Sequence, residues 1–181
     1  GPSATFIVGA LSQIHPDGCG PDAIRCVYLS EGSLEGFTLT GGATDREDGG
    51  ELENACGGGL YSMESSEAQA VNCVISNNIA YLKGGGSSRA VIHRCRFENN
   101  DVIAENGFGA AVRGGGVYDS LVINQSSKPV VSWAYLYNST VYSPSYVEHS
   151  TLRNCIAIRT TGISVFAASS STHKAYSSCL T

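Results

Sequence analysis

Four carboxylates, Glu98, Asp101, Glu105 and Asp119, fall in one stretch of the chain together with Arg94, Arg96 and Arg113. Acids and arginines in such proximity are ingredients of polysaccharide cleavage. A hydrolase sets two carboxyls roughly 5–9.5 Å apart across the scissile bond, and a lyase needs a base that titrates near neutrality. Were this chain an enzyme, Glu98, Asp101 and Asp119 would supply the acid or base and Arg96 the charge stabiliser. No two Asp share one short strand, however, and solvated surface charge explains these residues as well. A second acidic group, Asp45, Glu47, Asp48, Glu51 and Glu53, lies in GGATDREDGGELENAC, residues 41–56. Carboxylate oxygens in a Gly-rich segment suit Ca²⁺, with Asp45, Asp48 and Glu51 as candidate ligands, but the spacing lacks the order of a calcium-hand loop. The simpler reading is a solvated loop leaving the fold, and no other cofactor is expected. Ser169–Thr172 with His173 has no nucleophile-elbow context and points to no chemistry.

What must position these residues is a repeat. QAVNCVISNN and VIHRCRFENN superpose with Cys73 over Cys95, Ile75 over Phe97 and paired asparagines closing each unit, 22 residues apart. That offset is on the scale of a solenoid. The frame continues through Ser120-Leu-Val-Ile-Asn, Ser139-Thr-Val-Tyr-Ser and Cys155-Ile-Ala-Ile-Arg, and extends back to Gly36-Phe-Thr-Leu-Thr and forward to Ser178. Short apolar strands recurring at this period fit parallel coils stacked on one another rather than a β-sandwich. About seven coils of variable length are expected. Their interior would hold Cys73, Ile75, Cys95, Phe97, Val122, Val141, Cys155 and Ala157, with Val71, Ile92, Val117, Leu136 and Leu152 on the adjoining side. Glycine triplets at 57–59, 84–86 and 114–116 read as recurrent corners, where glycine reaches positive φ. Asn78, Asn100 and Asn124 read as a ladder of amides bonded between coils.

Composition agrees with this class. Only 15 % of residues are charged while Gly numbers 22 of 181, a turn-rich β profile. The net charge of −5, with no Lys/Arg block, makes nucleic acid a poor partner. No apolar run approaches the ~20 residues that span a bilayer. Residues 3–181 read as a single domain: opening coils at 3–35, the acidic excursion at 41–56 and repeat coils from 57. Gly1-Pro2 has the look of a tag remnant, and the chain is expected to be a segment of a longer one. Among the seven cysteines, those of the inner column suit buried free thiols, although adjacent coils bring Cys73 and Cys95 within disulfide reach. Cys19, Cys26 and Cys56 are the more natural disulfide partners.

GGGLYS (57–62), GGGVYDS (114–120), VNCVISNN (71–78) and HRCRFENN (93–100) resemble the GG-small-aliphatic and FxxN repeats of the chlamydial polymorphic outer-membrane proteins. They are equally similar to the secreted right-handed parallel β-helix repeat proteins of bacteria. The likeness covers most of residues 5–126, and FxxN is met in full once, at Phe97 and Asn100. It implies an all-β, right-handed parallel β-helix, a single-stranded solenoid, at the bacterial cell surface or outside the cell. In such a column two files of side chains face outward together: His93, Tyr118, Tyr137 and Arg153, beside Asn72, Arg94, Asp119, Asn138 and Asn154. Planar groups flanked by hydrogen-bonding ones suit a polysaccharide or host glycan, the expected partner of an adhesin-like, non-catalytic domain. The bland alternative is that the tyrosines pack across coils. A polysaccharide-active enzyme and a purely structural spacer are the other function classes.

Overall fold

A computed structural model describes residues 1–46, 53–63, 67–161, 174–176 and 179–181. Among these every regular element is a strand, none longer than four residues. The chain climbs as a parallel β-solenoid with three sheets. Sheet 1 stacks eight strands: Phe6–Val8, Thr38–Thr40, Val74–Ser76, Arg96–Glu98, Leu121–Ile123, Thr140–Ser143, Ile156–Arg159 and Cys179–Leu180. Sheet 2 stacks seven, from Ser33–Glu35 through Gln69–Val71, Val91–His93, Gly116–Tyr118, Tyr135–Tyr137 and Thr151–Arg153 to Lys174–Tyr176. Sheet 3 has six: Val27–Leu29, Leu60–Ser62, Ser87–Ser88, Val112–Arg113, Val131–Ser132 and Val147–Glu148. Ile79–Ala80 and Asp101–Val102 add a two-stranded patch. Sheet 1 thus counts one coil more than the seven expected, because Phe6–Val8 already pairs in register with Thr38–Thr40. At ~4.8 Å per step the column stands ~34 Å tall.

The small-residue column has a structural cause. Each passage from sheet 2 to sheet 1 is a two-residue corner. Its first residue adopts a left-handed conformation, with φ of 50° at Asn72, Arg94 and Asp119, 48° at Asn138 and 52° at Asn154. Asn and Asp tolerate that region best among residues with a side chain. The second residue is Cys73, Cys95, Ser120, Ser139 or Cys155. Its Oγ or Sγ closes its own turn, as Ser120 Oγ donates to the Tyr118 carbonyl at 2.7 Å and Ser139 Oγ to that of Tyr137 at 2.8 Å. The same atom accepts from the amide one coil away: Cys73 N donates to Cys95 Sγ (3.3 Å), Cys95 N to Ser120 Oγ (3.0 Å) and Ser120 N to Ser139 Oγ (3.1 Å). Serine and cysteine fit because they put one acceptor atom on Cβ in little volume. The amides of this buried corner are thereby satisfied.

Inside, Leu39, Ile75, Phe97, Val122, Val141 and Ala157 form the sheet 1 file, and every one is buried. Asn78, Asn100 and Asn124 form the expected amide ladder, fully buried. The Asn78 backbone and side-chain nitrogens both donate to Asn100 Oδ1 (3.1 and 3.0 Å), the Asn100 amide donates to Asn124 Oδ1 at 2.7 Å, and Asn100 Nδ2 reaches the Ile75 carbonyl.

Several expectations need correction. Thr38 pairs with Val74, so Phe37 stands opposite Cys73 and Gly36 takes the left-handed corner with φ 76°. Val71 pairs with His93 and faces outward, and the interior place belongs to Ala70, opposite Ile92. The glycines at 114–116 are out of phase with the other triplets. Leu60, Ser87 and Val112 share a register, so Gly109-Ala110-Ala111 is the true counterpart of residues 57–59 and 84–86. Gly114-Gly115 instead makes the corner from sheet 3 to sheet 2, with φ of 69° and 79°. Residues 42–44 and 55–56 do not leave the stack, since Ala43, Thr44, Ala55 and Cys56 are buried. All seven cysteines are free. Cys19, Cys26 and Cys56 do not pair because each is held separately: Cys26 Sγ bonds the Thr40 carbonyl and Asn78 Oδ1, and Cys56 bridges to Lys83. Burial raises the thiols of Cys26, Cys56 and Cys155 and pushes Cys19 up to about 11. Cys73 and Cys95 stack without a bridge, and the hydrogen bond between their sulfurs, with burial, pushes the Cys95 thiol up.

Coil length varies most in one place, although the sheet 3 to sheet 2 passage also takes three residues at 30–32 and six at 63–68 before settling at two. The sheet 2 to sheet 1 corner is always two residues, whereas the passage from sheet 1 to sheet 3 takes residues 77–86, 99–111, 124–130 and 144–146 in successive coils. The short-strand sheets therefore stay in register whatever that passage does.

Three substitutions test this core. Phe97→Ala is expected to lower unfolding free energy by ~3–5 kcal/mol in a denaturant melt. Asn100→Ala strands two donors of Asn78 and is expected to cost ~2–3 kcal/mol. Ser87 lies in the buried file of Leu60 and Val112, and its Oγ has no hydrogen-bond partner among the described residues. Ser87→Ala is accordingly expected to gain ~1 kcal/mol, and a loss in the melt would contradict its burial unpaired.

Candidate functional site

Alternate residues of a strand face opposite sides. With Ile92, Val117, Leu136 and Leu152 buried, their neighbours His93, Tyr118, Tyr137 and Arg153 must face out. Parallel pairing holds them in one file: His93 opposite Tyr118, Tyr118 opposite Tyr137, Tyr137 opposite Arg153. The rings of His93 and Tyr118 stack at 4.8 Å and 12°, those of Tyr118 and Tyr137 at 5.1 Å and 6°, and the Arg153 guanidinium caps the Tyr137 ring at 5.9 Å. All four residues singled out for ligand binding are brought together. Their faces are engaged with one another, so the file presents ring edges to solvent: two phenolic hydroxyls, an imidazole and a guanidinium at coil spacing.

The neighbouring corner residues form a second polar file. Asn72 Nδ2 donates to Glu35 Oε1 at 2.9 Å and Arg94 Nε to Asn72 Oδ1 at 3.0 Å. Asn138 Nδ2 donates to Asp119 Oδ1 at 3.1 Å, and Asn154 Nδ2 to Asn138 Oδ1 at 2.8 Å. Because the corners are left-handed, these side chains project from the edge of the column. Between them and the outward face of sheet 1 runs a groove of about 580 Å³, lined by Asn72, Arg94, Arg96, Asp119, Leu121 and Thr140 among others. A second hollow of about 350 Å³ continues it past Asn138 and Asn154 towards Ile156 and Cys179.

The candidate catalytic groups are dispersed. Glu98, in a sheet 1 strand, is ion-paired with Arg96 two residues before it. Asp101, also in a strand, accepts from Ser126 Oγ at 2.6 Å and from the Val102 amide at 2.8 Å. Glu105 is exposed, and its carbonyl receives Lys128 Nζ. Arg113 belongs to sheet 3, away from Arg94 and Arg96. Asp119 is the one carboxylate among the groove's described lining. Of the candidate calcium ligands, Asp48 and Glu51 lie outside the described residues. Asp45 donates its amide to the Asn54 carbonyl. Among the described residues no three His, Cys, Asp or Glu side chains converge as metal ligands.

Sequence reasoning passed over a second aromatic pair at the opposite corner of sheet 2. Trp133 stacks on His149 with ring centroids 4.3 Å apart and planes at 12°. Both hold positive φ, 58° and 46°. The alternation Trp133, Tyr135, Tyr137 was the available signal, since alternate residues beside a buried Leu136 share the outer face. Compared with family models, curated proteins and solved structures, the chain finds no match.

Proposed function

We propose that this is a non-catalytic, adhesin-like domain of a bacterial secreted or surface protein, which binds an extended polysaccharide or host glycan along the corner between sheets 2 and 1. The observation that carries the reading is the double file itself. Hydroxyl, imidazole, amide, carboxylate and guanidinium groups recur at ~4.8 Å, close to the rise of a sugar unit in an extended chain, and a groove follows the corner file, beside the ring edges. Each coil then offers one unit of the polymer one polar group from each file. Recognition runs through ring edges and corner amides rather than through stacked aromatic faces, which the coils use on each other. Calcium, if it binds the acidic segment, has a stabilising role apart from this groove.

A polysaccharide-active enzyme is the alternative. It is disfavoured because hydrolysis takes two carboxyls and Asp119 stands without a second in the groove's described lining. A plain spacer would have no use for the groove.

Retention on an array of polysaccharides and host glycans tests the proposal. Arg94→Ala and Asn138→Ala are each expected to weaken retention about 5- to 10-fold, the equivalent of one hydrogen bond. Tyr118→Phe, which keeps the stack and removes a hydroxyl, is expected to weaken retention without moving the melt. Absence of retention across the array supports the spacer. Shortening of an anionic polysaccharide that stops in Asp119→Asn supports the enzyme.

A further inference from the structure

Trp133 sits where the chain turns from sheet 3 to sheet 2, a left-handed corner at φ 58° that glycine fills one coil below, at Gly114. A bulky residue is strained there, so the indole is held at a conformational cost that glycine or asparagine would avoid. His149 covers one face of the ring at 4.3 Å, yet Trp133 remains 53 % exposed. Among the described residues no ring stacks on its other face.

That face looks down the corner file towards Gly114 and then Arg89. The order is fixed by the backbone: the Trp133 amide bonds the Glu148 carbonyl, that of Gly114 the Ser132 carbonyl, and that of Arg89 the Arg113 carbonyl. A Cβ built on Gly114 meets only Arg89 Cα and Cγ, both at 3.8 Å. The missing side chain leaves a slot, floored by the Arg89 stem. Trp133 and Arg89 are two coils apart, ~9.6 Å at the parallel-strand spacing. One ring between them takes two van der Waals contacts of ~3.5–4 Å, about 7–8 Å of that height, and a second ring does not fit. Tyr118 lies back over Gly116, its hydroxyl 2.9 Å from the place of a Cβ there, and so reaches along the rung in the direction of the slot. Tyr135, 58 % exposed, stands between Trp133 and Tyr137 on the same outer face.

We infer that the slot between Trp133 and Arg89 is a subsite for a single neutral pyranose, with its C–H face on the indole. The negative face of an aromatic ring attracts the weakly positive hydrogens of a sugar face, while Tyr118 and Tyr135 are placed to bond hydroxyls at the ring's edge. The inference rests on the glycan reading. It adds a position outside the groove, across sheet 2, where a branch or a transverse chain is gripped by stacking.

Trp133 is the only tryptophan of the chain, so its emission reports this slot alone. The experiment titrates the protein with neutral hexasaccharides (β-linked glucose, mannose and N-acetylglucosamine series), with sorbitol as the ring-free control, and measures retention on the same sugars immobilised. The expected result is a saturable blue shift with at least one hexasaccharide and none with sorbitol. Gly114→Asn, which tolerates the left-handed corner and fills the slot, is expected to weaken that response at least tenfold. Trp133→Asn is expected to lower retention likewise while raising the melting temperature, which keeps the test open should Gly114→Asn fail to fold. Sugar retained with unchanged emission, or a response indifferent to both variants, overturns the subsite and leaves the groove standing. No retention and no emission change with any sugar overturns both.

Discussion

The structure depends on a hydrogen bond made sideways. In a parallel solenoid the strands pair readily, but the corners between sheets leave amides that no ladder reaches, and a buried amide without a partner costs about 1–3 kcal/mol. Here the side chain after each left-handed corner supplies the missing acceptor, coil after coil, from Cys73 to Ser139. Ser150 does the same at the opposite corner, accepting from the Ala134 amide at 3.1 Å. The asparagine ladder serves the third side. Register is thus pinned by polar atoms at the corners, and the apolar interior follows from it: once Cys95 sits over Cys73, Phe97 must sit over Ile75.

The same dependence explains what was legible beforehand. The column from Cys73 to Cys155 was readable because the residues that pin the register are chemically restricted, so the pattern survives in the letters. The asparagine ladder was readable for the same reason. The first coils were not: Gly36 is small like Cys73, but it is the corner residue, and size alone could not separate the two places. Gly114-Gly115-Gly116 misled because glycine serves two ends. At 58 and 85 a Cβ would strike a carbonyl of the next coil at 2.2 or 2.1 Å, whereas at 114 it would make only ordinary contact with Arg89 at 3.8 Å. The aromatic file was found from register alone, but the mutual stacking of its faces was not, since side-chain rotation is not written in spacing. Trp133 went unseen because its partner His149 belongs to another coil of different length.

In-register stacking also constrains how such a surface recognises anything. Like side chains one coil apart find each other first, so His93, Tyr118 and Tyr137 spend their faces internally and offer their rims. A free aromatic face survives where the register is interrupted by a missing side chain, as it is above Gly114. Polar corner residues are limited differently: they exchange hydrogen bonds along the file, and a ligand competes with those bonds rather than with water alone.

Placing most changes of coil length in the passage from sheet 1 to sheet 3 gives the molecule one permissive flank, while the sheet 2 to sheet 1 corner keeps a fixed length. The passage shrinks from thirteen residues, 99–111, to three, 144–146, without moving a single strand pairing. Loop closure grows costlier only slowly with length, so whole segments can be grafted there at little thermodynamic expense. A single residue inserted at 94–95 or 138–139 would instead displace the acceptor that pins the corner and shift the sheet 1 strand that follows it. Such a chain is free to diversify along one face, as a spine carries ribs, while the opposite edge holds its pitch.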